Sequence, residues 1–448
     1  MLSRIHNRGT REDSDLGSLD DPPTALPWEL VDLIFDHLDK PSLAICTLLC
    51  KFYHLSAREK LFHTVTICGA TERFNFTNFL TFLWYPSTQG VALFIKELRM
   101  SSNAGRDYGS VHICTPYEIA HIVSKLPSLR TLLLTRLLLR RSEQQWTFPR
   151  TLHTLRLSHV FFDVPTWSGL PEFDFEPVRL DHTDNLTCGF ADLLDLFTSI
   201  DTVRLSGVYA ADYILWRTFT VRQQGGKYST PVTLAYLLGK NASKTLRIKR
   251  FISENKEPQG SIYEVVLELL MTSHIVDSLE DLYIRDTATN ARGLVQAAGK
   301  SLRRFHLHFD YGVIGSQAEW FQLHQCSNLS SLRLTTELVI PLMLPRQFAF
   351  SLGLMDHLPP KVSHFTMEWV CPRADSQWSE FLYQIGTLDW QRMDSVLTDP
   401  SRANLVSVNM KLINPTGGSN ALVEFADEIA SIRESLPRLC ASNILSFH

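Results

Sequence analysis

The sequence contains no apolar run approaching the roughly 20 residues that cross a bilayer, so no membrane partner is expected. Its first residues mix Arg4, Arg8 and Arg11 with Glu12, Asp13 and Asp15 around no apolar centre, which argues against a secretory signal there. Cysteine is sparse: eight are scattered along 448 residues without close metal-type pairs. Free thiols in a reducing compartment follow, and with them a cytoplasmic or nuclear location. An excess of basic charge is missing too, since the formal net charge is -4; nucleic acid is therefore not the expected partner. The chain carries no G-x-x-x-x-G-K-[ST], G-x-S-x-G, H-E-x-x-H or C-x-x-C. Catalytic triads do assemble from distant residues, but the lack of any such motif favours a non-catalytic protein without a cofactor. Cys46, Cys50 and His54 fall four apart, and His306 and His308 share one strand face. Neither set has the further ligands that zinc needs, so no metal site is assigned.

What the sequence does have begins at LPWELVDLIFDHLDKPSLAICTLLCKFYHL, Leu26 to Leu55. Leu30, Val31, Ile34, Phe35 and Leu38 recur three and four apart and form one stripe on a helix. Pro27 suits the helix start and Glu29 the first turn, where the helix dipole favours an anion. Asp39, Lys40 and Pro41 interrupt the pattern and open a second segment with Leu43, Ala44, Ile45, Leu48 and Leu49. A third carries Phe52, Tyr53 and Leu55. About thirty residues in three short helices cannot bury that much apolar surface against themselves, so another surface must meet it.

The ordered positions Leu26-Pro27, Glu29, Leu30, Ile34, Leu38, Leu43, Cys46, Leu49-Cys50-Lys51 and Tyr53 resemble the F-box over about Thr24 to Ile67. The family pattern runs L-P-x-E-hydrophobic and then V-C-K-x-W; here Leu49 replaces the valine and Tyr53 the tryptophan. The resemblance implies a Skp-type adaptor as partner, and through it a cullin, with Leu26, Pro27, Leu30, Ile34, Leu38, Leu49 and Tyr53 making the adaptor contact. An ordinary helical cap on a solenoid is the plainer alternative.

Beyond it an L-x-x-L-x-L signature returns, centred on Leu98, Leu132, Leu155, Val178, Val203, Leu246, Leu282, Phe305, Leu332, Phe365 and Val408. Several intervals match the roughly 20 to 29 residues of a leucine-rich repeat; the longer ones leave room for helices. Thr115-Pro116-Tyr117-Glu118 and Ser261-Ile262-Tyr263-Glu264 both read as capping boxes opening such helices. Further helices are read at Phe190 to Ile200, Ala318 to Cys326 and Leu422 to Leu436, with a last strand at Ile444 to Phe447. Strand alternating with helix means a parallel sheet with one open face. Over about Phe94 to Phe447 the repeats resemble the leucine-rich repeats behind many F-boxes, though the asparagine or cysteine that the family often places after the strand is largely absent.

The expected fold is therefore α/β: a polar, disordered tail over 1–23, a short three-helix F-box over 24–67, and an irregular leucine-rich-repeat solenoid over 68–448 with its sheet on the concave face, its helices outside and a closing C-terminal helix. In each signature the residue between the last two apolar positions should face the concave side. Arginine is frequent there, and Arg156, Arg179, Arg204, Arg247, Tyr283, His306 and Arg333 are the candidate target-binding residues. Neighbouring strands about 4.8 Å apart make an uncompensated arginine column costly. Asp181 offsets part of it, and an acidic or phosphorylated segment of a target protein would offset the rest; arginines splayed onto nearby loops are the plainer reading. The function this implies is substrate recognition in a Skp-cullin-F-box ubiquitin ligase. A repeat scaffold outside any ligase is the alternative, and an intracellular hydrolase with a convergent site a third reading.

Overall fold

The computed structural model of the chain describes residues 26–69, 75–102, 112–140, 150–162, 189–210, 246–254, 266–285 apart from 268 and 272, 288–309, 318–337 apart from 320, 341–370, 378–413 and 426–448. The tail over 1–23, Arg179, Asp181 and the expected capping box at Ser261 to Glu264 lie outside them.

Three helices open the described chain: α1 (Trp28–His37), α2 (Lys40–Cys46) and α3 (Lys51–Phe62). Asp39 caps α2 by accepting from the Ser42 amide at 2.9 Å, with Pro41 in the first turn. The Cys50 thiol caps α3, accepting from the Tyr53 amide. Val31, Phe35, Leu43 and Ala57 are buried among these helices, with Leu38, Cys46, Tyr53 and Leu61 packed around them. That cluster is separate from the one that runs through the rest of the molecule.

The rest is an α/β solenoid built on a 14-stranded sheet whose pairings are all parallel. In chain order the strands are β1 (Thr64–Cys68), β2 (Glu97–Ser101), β3 (His112–Cys114), β4 (Thr131–Thr135), β5 (Leu137–Leu139), β6 (Thr151–Phe162), β7 (Ser199–Ala210), β8 (Arg247–Ser253), β9 (Asp281–Arg285), β10 (Arg304–Phe309), β11 (Ser331–Glu337), β12 (His364–Val370), β13 (Ser407–Ile413) and β14 (Leu445–Phe447). Each pairs with its sequence neighbour, apart from β3 and β5, which form a short side ladder against the far half of β6. One chain turn therefore adds one strand, as in a repeat protein whose units touch only their neighbours.

The signature leucines fall on the buried face in register. Leu98, Leu132, Leu155, Val203, Leu282, Phe305, Leu332, Phe365 and Val408 are all essentially inaccessible and packed in one continuous core. Helices cover that face: Pro116–Ser124, opened by the expected capping box at Thr115 and Glu118, buries Ile119, Ile122 and Val123. Leu344–Asp356 buries Phe348, Phe350 and Leu354. Gly189–Leu194 is shorter than the helix read at Phe190 to Ile200, because strand β7 already begins at Ser199. The segment Ala318 to Cys326 holds 3-10 turns, at 318–319 and 321 and again at Leu323–Gln325, and no α-helix among its described residues. Near the C-terminus Ala426–Glu434 and Pro437–Ala441 precede β14.

Strands β6 and β7 bend at one level. Arg136 just after β4, His159 in β6 and Gly207 in β7 all have positive φ, 53°, 52° and 69°. They stand side by side, between Ser158 paired with Ser206 and Val160 paired with Val208. Gly207 is needed there: a Cβ would take up a left-handed conformation and press on the rings of His159 and Tyr209. Beyond that corner the chain continues into the side ladder, which widens the solenoid along β5 to β7.

One signature position is corrected, and another, the repeat centred on Val178, lies outside the described residues. Strand β6 pairs directly with β7. The strand assigned to Leu246 is shifted by five residues: Phe251, not Leu246, aligns with Val203 and Leu282. The true motif is Ile248-x-x-Phe251-x-Ser253, with a buried serine where the pattern asks for an apolar residue.

Candidate functional site

Two surfaces carry the candidate residues, and the first is the helical block. Leu26, Pro27, Leu30, Ile34 and Leu49 are exposed, together with Trp28, Leu33, Ile45 and Leu55. Leu48 is 84% accessible, close to what a free side chain would show. Leu38 and Tyr53 are placed differently. Both pack into the block's own cluster, and the Tyr53 ring meets Phe35 edge-on with centroids 5.7 Å apart. Tyr53 thus helps to hold α3 against α1, while the outer apolar surface is formed by residues on all three helices.

Ion pairs at the block's margin fix its orientation. Lys60 bridges from α3 to Asp32 at 3.3 Å and Asp36 at 2.5 Å on α1. Lys40 donates to the Thr64 carbonyl of β1 at 2.9 Å, and Lys96 reaches Glu59 at 2.8 Å. Cys46, Cys50 and His54 do not converge. His54 uses Nδ1 on the Thr47 carbonyl and Nε2 on Arg58, while Cys50 serves as a cap. Among the described residues no group of three or more His, Cys, Asp or Glu could hold a metal ion.

The second surface is the face of the sheet opposite the helices. Its central row runs across the strands as Thr66, Arg99, Leu133, Arg156, Arg204, Ile252, Tyr283, His306, Arg333, Thr366, Asn409 and Ser446. Arg156, Arg204, Tyr283, His306 and Arg333 are therefore neighbours in one row, as the signature predicts. Arg247 is not among them. It pairs with Ser199, lies exposed at the start of β8, and lines a cavity of about 830 Å³ with Asp201, Lys249, Asp277 and Glu280. Ile252 occupies its place in the row because of the five-residue shift.

Three of the four arginines in the row, all but Arg156, are compensated within the chain, which the sequence reading missed. Arg204 makes a two-pronged pair with Glu254, Nε to Oε2 at 3.0 Å and a terminal nitrogen to Oε1 at 2.5 Å. Arg99 donates to Glu97 at 2.6 Å, and Arg333 to Glu368 at 2.6 Å. Glu368 is only 1% exposed and also faces Lys411 at 3.7 Å. Arg285 pairs with Glu337, with His308 3.7 Å from the same carboxylate. Glu254 and Glu368 stand two residues beyond row positions, and side chains two apart share a strand face.

His306 is tightly enclosed. Its Nε2 lies 2.8 Å from the Thr335 hydroxyl, which in turn donates to Glu368 at 2.9 Å, and its ring meets Tyr283 edge-on at 4.4 Å. Burial, then the nearby charges of Arg333 and His308, push its pKa down to about 3, so it is a neutral hydrogen-bonding group near pH 7. Burial raises the Tyr283 phenol, and the charge of Glu254 adds to it.

A hydrolytic centre would need an activated nucleophile beside a base. Burial instead raises the Cys326 thiol to about 11 and lifts Cys114 as well, helped by the charge of Glu118. In the cavity beside Arg247, the Ser278 hydroxyl is held by the Ile248 carbonyl and amide, while His274 pairs with Asp277 at 3.4 Å. What the described surface does offer is an apolar helical face at one end and a long polar sheet face beyond it. Among the described residues no helix is long and apolar enough to cross a membrane.

No protein-family model matches this chain, and a search of curated proteins finds no match either.

Proposed function

We propose that the chain is a non-catalytic substrate receptor of a Skp-cullin-F-box type ubiquitin ligase, in which α1 to α3 dock on a Skp-type adaptor and the open sheet face holds a target protein. The observation that carries this reading is the uncovered apolar surface of α1 to α3, set apart from the core of the solenoid. Leaving so many large apolar side chains in water disfavours the isolated chain, at about 25 cal/mol per Å². A partner supplying a complementary surface removes that cost, and patches of this kind mark interaction sites on soluble proteins. The L-P-x-E and L-C-K-x-Y positions, on and beside that surface, resemble the F-box and make a Skp-type adaptor the favoured partner. The receptor itself then needs no catalytic group. Holding a target lysine near a ubiquitin-charged enzyme makes the transfer effectively intramolecular.

Capture of purified Skp-type adaptor by the full chain tests the reading directly. The triple variant Leu26→Ala, Pro27→Ala, Ile34→Asp should lose capture while its thermal unfolding remains that of the wild type, because all three side chains are exposed. Retained capture by this variant would reject the assignment, and so would failure of the wild-type chain to bind.

A further inference from the structure

The cavity of about 830 Å³ at the start of β7, β8 and β9 lies away from both surfaces described above. Arg247 on its wall precedes Ile252 of the central row by five residues, about 16 Å along the strand. The volume falls within the range of about 300 to 1,000 Å³ typical of small-molecule sites. One wall is formed by the first residues of β7 and β8, the other by the 3-10 turn His274–Ser278 that leads into β9. The Ser278 hydroxyl ties the two together: it accepts from the Ile248 amide at 3.0 Å and donates to the Ile275 carbonyl at 2.9 Å. Walls fixed in this way are preorganised, and a ligand need not order them.

The charges that line this cavity are unevenly matched. Asp201 is taken by His153 at 2.8 Å, and Lys249 faces Glu280 at 3.8 Å. Arg247 holds no ion pair among the described residues, and the Ser199 hydroxyl, its cross-strand neighbour, no hydrogen bond. On the turn, Asp277 has only His274 at 3.4 Å, an imidazole that is charged only when protonated. An unpaired guanidinium and a weakly held carboxylate, both exposed, thus border one space without pairing with each other. A simple carboxylate would satisfy Arg247 and leave Asp277 unmet. A phosphate would bring nearly two charges up to Asp201, Asp277 and Glu280. A free α-amino acid carries its carboxylate and its ammonium on one carbon and matches both. The guanidinium holds a carboxylate by two parallel hydrogen bonds, to which Ser199 adds a third. We propose that this cavity binds a free α-amino acid, its carboxylate on Arg247 and Ser199 and its ammonium on Asp277. A residue inside a peptide has neither of those charges, so the site is not one for a segment of a target protein.

The full chain is titrated calorimetrically with each of the protein amino acids in turn, and the one that binds best is compared with its amide, its N-acetyl derivative and its amine-free counterpart. At least one amino acid should bind with a Kd below about 1 mM. Each of the three derivatives lacks one of the two charges and should bind at least about tenfold more weakly. Arg247→Gln and Asp277→Asn should each lose about tenfold in affinity for that amino acid while unfolding at the wild-type temperature, because both side chains are exposed. Arg156→Gln, in the sheet row, should bind it as the wild type does. Absence of binding heat with every amino acid overturns the proposal, and so does equal binding of the amine-free acid or unchanged affinity in either cavity variant. Adaptor capture by Arg247→Gln should stay at the wild-type level, so failure here is distinguishable from failure of the receptor reading.

Discussion

The two ends of the open sheet face are built from the same pleat but solve opposite problems. From β9 to β13 its charges are largely satisfied internally: Arg333, Thr335 and Lys411 surround Glu368, His306 leans on Thr335, and Arg285 holds Glu337. From β4 to β7 the face is hydroxyl-rich, and Arg156 stands without a partner among the described residues. The first region pairs most of its charged side chains within the chain, although Glu368 Oε1 is buried without a hydrogen bond. The second resembles half of an interface. A polar network that closes on itself supports the fold, and one that does not close is available to something else.

The largest effect should therefore come from breaking the closed end. Glu368→Ala removes the one carboxylate shared by Arg333, Thr335 and Lys411, leaving two cations and a buried hydroxyl without their acceptor. The expected loss is about 3 kcal/mol, less than a wholly buried ion pair would give because Arg333 and Lys411 are partly in water. Equilibrium denaturation in urea would measure it. A change under about 0.5 kcal/mol would mean that the network is not structural.

A smaller effect follows from His306 in the same network. Its pKa in the folded chain is about 3, against an ordinary value of 6.5. Above pH 6.5 both the folded and unfolded chains hold it neutral and it contributes no pH dependence. Below that value the unfolded chain takes up a proton that the folded one refuses, so stability falls with pH through the window from 6.5 towards 3. Between pH 7 and pH 5 the loss should be about 1 to 2 kcal/mol, and His306→Asn should remove that part of the slope. If the difference between wild type and variant is the same at both pH values, the enclosure of His306 is not what the geometry implies.

How far these regions could be read from the chain alone depends on which physical signal each obeys. The leucine signature located nine strands because a residue buried on a parallel sheet must be apolar, and Leu98, Leu155 and Phe365 leave no other choice. It failed at β8, where Ser253 takes a core position that Leu205 and Ile284 hold on the flanking strands, and the nearby Lys-Thr-Leu-Arg-Ile fitted the pattern better. The counterion of Arg333 was legible: Glu368 stands two residues beyond Thr366, and period two places it on the arginine face. That of Arg204 was not, because the signature placed at Leu246 leaves Glu254 at an odd spacing from Arg247, which period two puts on the opposite face. The partial burial of Tyr53 was less accessible, because an aromatic residue on a short helix fits either a private core or an outer patch until the packing of α1 on α3 is known.

The smallest expected effect is also the one that distinguishes the two ends most sharply. Arg156→Gln keeps the length and much of the packing of the side chain and removes a charge that holds no partner among the described residues, so its stability should differ from wild type by no more than about 0.5 kcal/mol. It could even stabilise slightly, because Arg204 stands next to it in the row and like charges about 4.8 Å apart repel. Raising the salt concentration should shrink that gain, as screening weakens the same repulsion. Urea unfolding of wild type and variant at low and high salt would measure both quantities. A loss above about 1 kcal/mol would show that Arg156 already has a structural task, and the open end of the sheet would then be as self-contained as the closed one.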